Sequence, residues 1–541
     1  MKTLFHNAQF HTMEDEASCT DALLVEDGII LAVGQEAKDL VGDDSSHLRS
    51  AESLRKVDLG GAHAYPALID AHLHMLDAIG LIGNSLHLTS FTQDGVEPHT
   101  LEGIAEEIQR FAAESSPDDL LICTGYIAMA MDEGRLPNRF ELDQWAGGRR
   151  IWVMNMDLHS SSCSTALLTQ VGLEDVAPDG ILEGPNHDGN IGLLTGALAD
   201  SIGPRQLGAG IAEFCNQCAA YGIGTVCALE GKDDIPRDSL TELFVWLAQR
   251  MPIDVRLFPQ YMDDAKLARV KDAMATPRVG GCMKWELDGS IGSNTAAFAR
   301  PFLGGQQGSL YFTDQEVVQE VCKREAQGYM VSAHAIGELA IDQLLDAFDA
   351  ALEEDPSLDL TRMRIDHLEF PSPQAVERVC RMRPSVTVQP GYAWVDKRFL
   401  HGYERRLDQG YINQQVPLRT LMDADVCLCG SSDAPVQSID PFLQMRGMRE
   451  FYLPEQSLTG YEALKTYTVN GGLMLGEAKG LLKPGYEASF FTCGEDLFTC
   501  EPVALDGLRA KRTFLHGREY RPLPRSASTL AKLALSRPHK I

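Results

Sequence analysis

The sequence predicts an α/β fold, a (β/α)8 barrel of TIM type, with a small β-sandwich domain built from both chain ends and an insertion after the first barrel strand. Three observations carry this. Apolar runs alternate with amphipathic helical stretches through the middle of the chain, which implies parallel strands joined by crossover helices. Four of those runs lead to histidine or aspartate, at His72 and His74, His334, His367 and Asp433, and a barrel of this type carries its chemistry at the C-terminal ends of its strands. Short β-like runs punctuated by glycine occur near both ends of the chain.

Residues 1–62 hold the runs Ala22-Leu23-Leu24-Val25 and Ile29-Ile30-Leu31-Ala32-Val33-Gly34, and residues 475–525 hold Ala488-Ser489-Phe490-Phe491-Thr492 and Arg512-Thr513-Phe514-Leu515-His516-Gly517. Neither end has strands enough for its own core, so together they are expected to form one composite β-sandwich domain. The barrel takes 63–83 and 206–474, with strands expected near 67–72, 223–228, 254–259, 281–287, 330–334, 363–367, 385–389 and 426–431. One βα unit is explicit. Thr313 caps a helix, Glu316 completes the capping box, Val317, Val318, Val321 and Cys322 form the apolar stripe, and Gly328 ends it before the strand that reaches His334. Residues 84–205 are too long for a connection; their own helix, with Leu101, Ile104, Ile108 and Phe111 at helical spacing, and strands at 120–123 and 151–154 make an inserted subdomain, expected over the barrel mouth. Residues 526–541 are left as a C-terminal tail.

The 541 residues, 44% of them hydrophobic, suffice for one large core and a smaller domain. The formal net charge of 47 − 77 = −30 repels phosphate backbones and anionic bilayers, so a small molecule is the expected partner rather than nucleic acid or a membrane. The start, Met1-Lys2-Thr3-Leu4-Phe5-His6-Asn7, lacks the apolar core of a secretory signal, and the expected location is the cytoplasm. The 13 cysteines are odd in number and often sit inside apolar strands, as Cys227, Cys282, Cys427 and Cys429 do. They read as small buried hydrophobes in a reducing compartment.

The run Ala67-Leu68-Ile69-Asp70-Ala71-His72-Leu73-His74 reads as a strand ending in a histidine pair. Residues two apart on a strand point to the same side, so both imidazoles can face one metal; alone, such a pair is more often a chance occurrence. Tyr329-Met330-Val331-Ser332-Ala333-His334 and Met363-Arg364-Ile365-Asp366-His367 each add an imidazole at the end of an apolar run. Val426-Cys427-Leu428-Cys429-Gly430-Ser431-Ser432-Asp433 presents a carboxylate just before Ala434-Pro435, which cannot continue a ladder. Nitrogen and carboxylate donors converging from rigid supports are what metal-dependent hydrolysis needs.

Five motifs, in order, resemble the amidohydrolase superfamily and within it the YtcJ-like, amidohydrolase family 3 branch: His72-Leu73-His74, Lys284-Trp285-Glu286-Leu287-Asp288-Gly289-Ser290-Ile291-Gly292-Ser293, Ser332-Ala333-His334-Ala335-Ile336-Gly337, Asp366-His367-Leu368-Glu369-Phe370 and Ser432-Asp433-Ala434-Pro435. The resemblance covers nearly the whole chain. It implies a hydrolase of carbon–nitrogen bonds other than peptide bonds (EC 3.5 type), acting on an N-acyl or N-formyl amide. It also implies a ligand set: His72 and His74 on a more buried divalent ion, His334 and His367 on a second, Lys284 as a bridging carboxylated lysine, and Asp433 as both ligand to the first ion and proton shuttle for metal-activated hydroxide. Zinc, as one ion or two, is the expected metal, and iron, manganese or nickel fit the same donors. A Lys284 paired with Glu286 or Asp288 is the alternative at that position.

The same comparison makes His159 a substrate-binding candidate, against a surface or core histidine. Asp288 and Gly289 are expected to shape the pocket, although Gly289 would also serve a plain turn. Trp394 is either a pocket wall or ordinary packing. Glu230 is a further ligand candidate; His63, His87, His187 and His401 match no ligand position. Ala488-Ser489-Phe490 stands where relatives carry Ala-Asp-apolar, a change remote from the metals. A homodimer through an exposed strand edge is implied. Barrel scaffolds host many chemistries through loop variation, so ester or lactone hydrolysis, isomerisation or decarboxylation at the same site, or a non-catalytic regulatory role, are the competing readings.

Overall fold

The computed structural model describes residues 2–42, 54–81, 84–92, 95–231, 233 and 238–541. It is an α/β fold in which the two chain ends share one sheet. That sheet has seven strands, in the order Arg518–Glu519, Arg512–Leu515, Phe490–Cys493, Arg55–Pro66, Lys2–His11, Cys19–Glu26 and Ile29–Val33. The ends join where Phe490–Cys493 runs antiparallel to Arg55–Pro66, with Phe490 opposite Pro66 and Cys493 opposite His63. Side chains alternate between its faces, as the two-residue period requires. Phe5, Phe10, Leu23, Val25, Phe490 and Phe514 pack on one face, whereas Leu4, Ala22, Leu24 and Ala32 meet Ala37 of the helix Gly34–Gly42 on the other. The terminal unit is therefore one sheet with a helix against it; a second facing sheet is not found among the described residues.

The chain leaves this sheet at Pro66 and enters the first parallel strand without a loop. Ala67 N–H bonds Ser489 O at 2.9 Å, and Leu68–Leu73 begins at once. Seven more parallel strands follow: Ile223–Glu230, Asp254–Pro259, Arg278–Glu286, Met330–Ala335, Met363–His367, Ser385–Val388 and Cys427–Gly430. They form a three-stranded sheet, with Ile223–Glu230 between Leu68–Leu73 and Asp254–Pro259, and a five-stranded sheet in sequence order. The edge strand Asp254–Pro259 lies beside Arg278–Glu286, and Cys427–Gly430 lies beside Leu68–Leu73. At the second of these edges Asp433 N–H bonds His72 O (2.9 Å) and His74 N–H bonds Ala434 O (2.8 Å), so the loop carrying Asp433 is fixed to the strand carrying the histidine pair.

Helices return the chain between strands. The capping box of Thr313 and Glu316 opens Asp314–Ala326, which buries Val317, Val321 and Cys322, and Gly328 takes φ +79° where the chain turns into the next strand. Val318 is only partly buried at the edge of that stripe.

The segment 84–205 has a five-stranded sheet of its own, in the order Ile181–Glu183, Ser160–Cys163, Ile151–Asn155, Leu121–Tyr126 and Leu86–His87. Alternating residues serve two cores. Ile122, Trp152 and Met154 face one side, and Leu121, Ile151 and Val153 face the helix Leu101–Glu114 on the other. The C-terminal segment is not a free tail: its helix Ser528–Leu535 leads to a fully buried Ile541, whose backbone exchanges hydrogen bonds with Ala273 and Ala275. Among the described residues no helix is long and apolar enough to cross a membrane, and all 13 cysteines are unpaired.

Phe490 couples the two chain ends, with ring centroids 5.0 Å from Phe5, 5.6 Å from Phe10 and 4.6 Å from Phe514. Phe490→Ala is expected to destabilise the fold by about 3–5 kcal/mol in chemical denaturation, while leaving metal binding by the folded protein unchanged.

Candidate metal centre

Six side chains from five strands or the loops that follow them meet at the mouth of the parallel strands: His72 and His74 from the first, Cys282 from the fourth, His334 and His367 from the fifth and sixth, and Asp433 after the eighth. Three overlapping triplets, His72/His74/Cys282, Cys282/His334/His367 and His72/His367/Asp433, each bring their potential ligand atoms within 4.8 Å of one another. Asp433 Oδ1 lies 3.3 Å from His72 Nε2 and 3.3 Å from His74 Nε2. Cys282 Sγ lies 3.6 Å from His72 Nε2. The rings of His72 and His334 sit 4.9 and 4.5 Å from that of His367. All six side chains are buried. His367 and Asp433 hold φ of +76° and +57°, left-handed backbone that non-glycine residues adopt at a cost and that turns both side chains inward from the strand ends.

A second set of groups fixes the first. Asp366 is wholly buried; its Oδ1 lies 3.3 Å from His72 Nδ1 and 2.8 Å from Arg364 Nε. Ser332 and Thr387 hydroxyls donate to the same carboxylate at 2.5 and 2.6 Å. Gln389 Oε1 is 2.9 Å from His367 Nδ1, and Gln389 in turn donates to Ser431 Oγ at 2.9 Å. Carboxylate or amide oxygens on the Nδ1 side leave Nε2 of both rings for a metal, the usual arrangement behind ligating histidines.

The electrostatics follow from burial and neighbours. Burial alone would lower the pKa of His72, but Asp366, then Cys282 and Asp433 around it hold it well above the ordinary imidazole value. Burial, then His72, pushes His367 down to about 4; burial, then His367 and His159, keeps His334 well below the usual range. These two imidazoles are neutral, with lone pairs to give. Burial would raise Asp433, but His72, His74 and His367 hold it well below the usual carboxylate range. The cluster fits a cation. Among the described residues His367 Nε2 is buried without a hydrogen-bond partner, a ligand atom left free at the centre of the cluster.

Two cavities adjoin the cluster. The larger is lined by His334, His367, Asp433, Glu369, Tyr392 and Tyr403 together with apolar residues. The smaller is lined by His74, Cys282, Glu286 and His187. His159, Asp157, His334, His367, Asp433 and Val436 line both, so the cluster stands between two lobes. Asp157, His159 and His187 all come from the 84–205 segment, which thus supplies part of the site wall.

Of the residues proposed from the sequence, His72, His74, His334, His367 and Asp433 come together, and His159 adjoins them with its ring 5.2 Å from that of His334. Lys284 does not join them. It is half-buried and lines neither lobe. The pairing of its strand is irregular between Gly281 and Glu286, and this interruption lets Cys282 and Glu286 face the smaller lobe while the residue midway between them does not. Cys282 is accordingly part of the cluster rather than mere apolar filling. Its thiol is pushed up to about 12, chiefly by burial.

Asp288 lies behind the site: buried, with its pKa raised to about 7 by that burial, it accepts backbone N–H bonds from Ala297, Ile336 and Gly337 at 2.7–3.0 Å and so pins the loop after the fourth strand to the fifth. Gly289 carries its carbonyl to within 3.3 Å of His334 Nε2; a Cβ there would stand 2.0 Å from Thr295 Oγ1, so close approach rather than turn geometry demands glycine. Trp394 lines neither lobe. It packs under the Arg446 guanidinium, 4.7 Å away, and its Nε1 donates to Glu450 at 3.2 Å. On the helix Pro390–Val395 two residues span roughly 200°, so it is Tyr392 that faces the site, donating its hydroxyl to Asp433 Oδ2 at 2.7 Å. Glu230 accepts the Leu76 N–H at 2.8 Å and positions the loop after the first strand.

The amidohydrolase family profile matches residues 55–520. YtcJ of Bacillus subtilis (strain 168) is 23% identical over 548 aligned residues, covering 96% of this chain and 99% of its own. An N-substituted formamide deformylase of Arthrobacter pascens is likewise 23% identical over 548, covering 94% and 96%. A metal-dependent hydrolase of Pyrococcus horikoshii OT3 has the same fold, with a TM-score of 0.70 at 19% identity over 93% of this chain and 99% of its own. The chain belongs to the amidohydrolase family, and with it to the metal-dependent hydrolases of non-peptide carbon–nitrogen bonds.

Gln389→Met removes the acceptor behind His367 without emptying the space. It is expected to weaken divalent metal binding about 10–100-fold in chelator competition, with the thermal unfolding of the metal-free protein little changed.

Proposed function

We propose that the two parallel sheets close edge to edge into one eight-stranded barrel, and that its mouth hydrolyses a non-peptide carbon–nitrogen bond in an N-acyl or N-formyl amide. The observation that supports this most is the buried cluster of four imidazoles, a carboxylate and a thiol, with His367 Nε2 left without a hydrogen-bond partner. An N-substituted formamide is the substrate that the Arthrobacter relative's name specifies, and it is the same bond type. His72, His74, His334, His367, Asp433 and Cys282 hold the ion or ions in this reading. Zinc suits imidazole, carboxylate and thiolate donors together.

When bound, a divalent cation supplies Lewis acidity toward a carbonyl and makes water acidic enough to attack at neutral pH. The chain's own residues do the rest. The scissile amide lies at the junction of the lobes, its two substituents in opposite cavities, with His159 against it. Tyr392 holds Oδ2 of Asp433 and leaves Oδ1 to take the proton of the attacking water and pass it to the departing nitrogen. Walls from the 84–205 segment limit bulk water around the reacting atoms.

With metal-loaded protein and a panel of N-formyl and N-acyl amines, Asp433→Asn is expected to lower kcat by about 10²–10⁴; a variant close to wild type removes the shuttle role. Cys282→Ser tests the ligand set apart from turnover. Cobalt-loaded wild-type protein should show a near-ultraviolet sulfur-to-cobalt charge-transfer band that the variant lacks. Metal reconstitution should also be indifferent to added bicarbonate, because no carbamate on Lys284 is called for. A bicarbonate requirement with an unchanged cobalt spectrum would assign the bridge to Lys284 instead.

A further inference from the structure

The charge around the larger lobe is one-sided. Its aliphatic and thioether wall includes Ile127, Met129, Ile291, Val395 and Leu400, and apart from histidine the ionisable acids and bases facing it are Asp157, Glu369, Asp396, Asp433 and two tyrosines, with no lysine or arginine among the described lining residues. Three of the four carboxylates are already engaged. Asp157 accepts the hydroxyls of Ser290 (2.8 Å) and Ser293 (2.6 Å) on one oxygen, and Asn155 Nδ2 (2.9 Å) and the His159 N–H (3.2 Å) on the other. Asp396 accepts the backbone N–H groups of Gly402 (2.8 Å) and Tyr403 (3.2 Å). Asp433 belongs to the metal centre.

Glu369 is different. It is half-buried, lines the lobe, and its side chain is held by a single hydroxyl, that of Tyr403 on Oε1. A carboxylate can accept about four hydrogen bonds; burial pushes this one up to about 7, and a donor or cation that met it in the cavity would favour its ionised form. The neighbouring Asp396 supplies neither, and Tyr403 already donates its hydroxyl hydrogen bond to Glu369. A cation that enters with the substrate would meet the remaining acceptor capacity. An ammonium on an apolar stem meets both demands: the stem packs on the aliphatic wall and the N–H groups satisfy Glu369. A carboxylate at the same place would meet only like charge, a contact that costs selectivity-determining energy at short range.

We propose that the larger lobe selects amides whose remote end is a protonated amine on an apolar stem, received by Glu369 beside Tyr403, and that it rejects amides ending in a carboxylate. This rests on the amide-hydrolase reading of the metal centre. The test uses metal-loaded protein and a series of alkyl hydroxamates, whose common chelating head anchors at the metal while the far end is ammonium, methyl or carboxylate, at several stem lengths. Dissociation constants are measured by calorimetry, so turnover is not needed.

At the best stem length the ammonium compound is expected to bind at least about tenfold more tightly than the methyl compound, with the carboxylate weakest. Glu369→Gln keeps an oxygen for Tyr403 and should bring the ammonium compound to the methyl compound's affinity without moving the latter. A carboxylate bound as tightly as the ammonium, or a preference that survives Glu369→Gln, overturns the proposal; the wild-type ranking alone decides it if the variant does not fold. Hydrolysis of the matching amides is scored separately. The expected ranking without amide turnover removes the hydrolase reading and keeps the selectivity, whereas turnover with the ranking reversed does the opposite.

Discussion

The ion pair of Arg364 and Asp366, wholly buried inside the parallel strands, is the constraint on which the site depends. Both residues lie on Met363–His367, two apart and on one face. Arg364 also donates to Ala71 O at 2.9 Å and Ser332 Oγ at 2.7 Å and lies 4.1 Å over the ring of Phe258. Asp366 adds Thr387 and His72. One pair therefore touches strands one, three, five, six and seven. Desolvating two such charges costs several kcal/mol each, and a well-packed apolar replacement would often be no less stable. What the pair supplies is orientation: it fixes the tautomer and rotation of His72, and His72 belongs to two of the three ligand triplets.

The periphery transmits the same constraint. Because Arg55–Pro66 passes from the terminal sheet into Leu68–Leu73 with only Ala67 between, the aromatic packing of the two chain ends sets where the histidine pair begins. At the far side, the backbone bonds between His72 and Asp433 and between His74 and Ala434 lock the last ligand loop onto the first strand. Residues more than 350 apart in sequence are thus held at hydrogen-bond precision by main chain alone. The left-handed φ of His367 and Asp433 persists because these neighbours determine it, which is how strained backbone survives at a working site.

Much of this was legible in the sequence, and the omissions share a cause. The eight parallel strands lie within a few residues of their expected places because each is a short apolar run closed by a turn, and five of the six clustered residues are conspicuous in the sequence because histidine or aspartate at such an end stands out. Cys282 rather than Lys284 faces the cluster because the irregular pairing between Gly281 and Glu286 changes which residues face inward, and period-two reasoning has no access to a local interruption. Tyr392, which the sequence reading does not single out, faces the site and Trp394 does not, since a six-residue helix after Val388 reverses the facing that an extended chain would give. Asp366 could have been found. A strand reading Met-Arg-Ile-Asp-His alternates charge with apolar residues, and charges on the inner face of a buried strand must be paired. The single terminal sheet was hidden because strand count does not reveal whether two ends pair side by side or stack.

The negative field of the molecule and the chemistry of the site support each other. A formal charge of −30 favours the approach of cations over anions, and a concave mouth with low-dielectric walls focuses that field. The same acidity creates the central difficulty of the site, because several carboxylates drawn close together repel one another unless something positive stands among them. At the cluster a divalent ion would fill that role, with neutral His334 and His367 as donors and Asp433 kept anionic by its histidine neighbours. In the larger lobe Asp157 and Asp396 are quieted by hydroxyl, amide and backbone donors, an arrangement that neutralises without adding charge. Among the described carboxylates lining that lobe, Glu369 is the one held by a single side-chain hydrogen bond. On the proposed selectivity, its completion by the ligand would make substrate binding and relief of carboxylate repulsion the same event, and discrimination against acids would come from the charge distribution itself rather than from a shape that an acid could not fit.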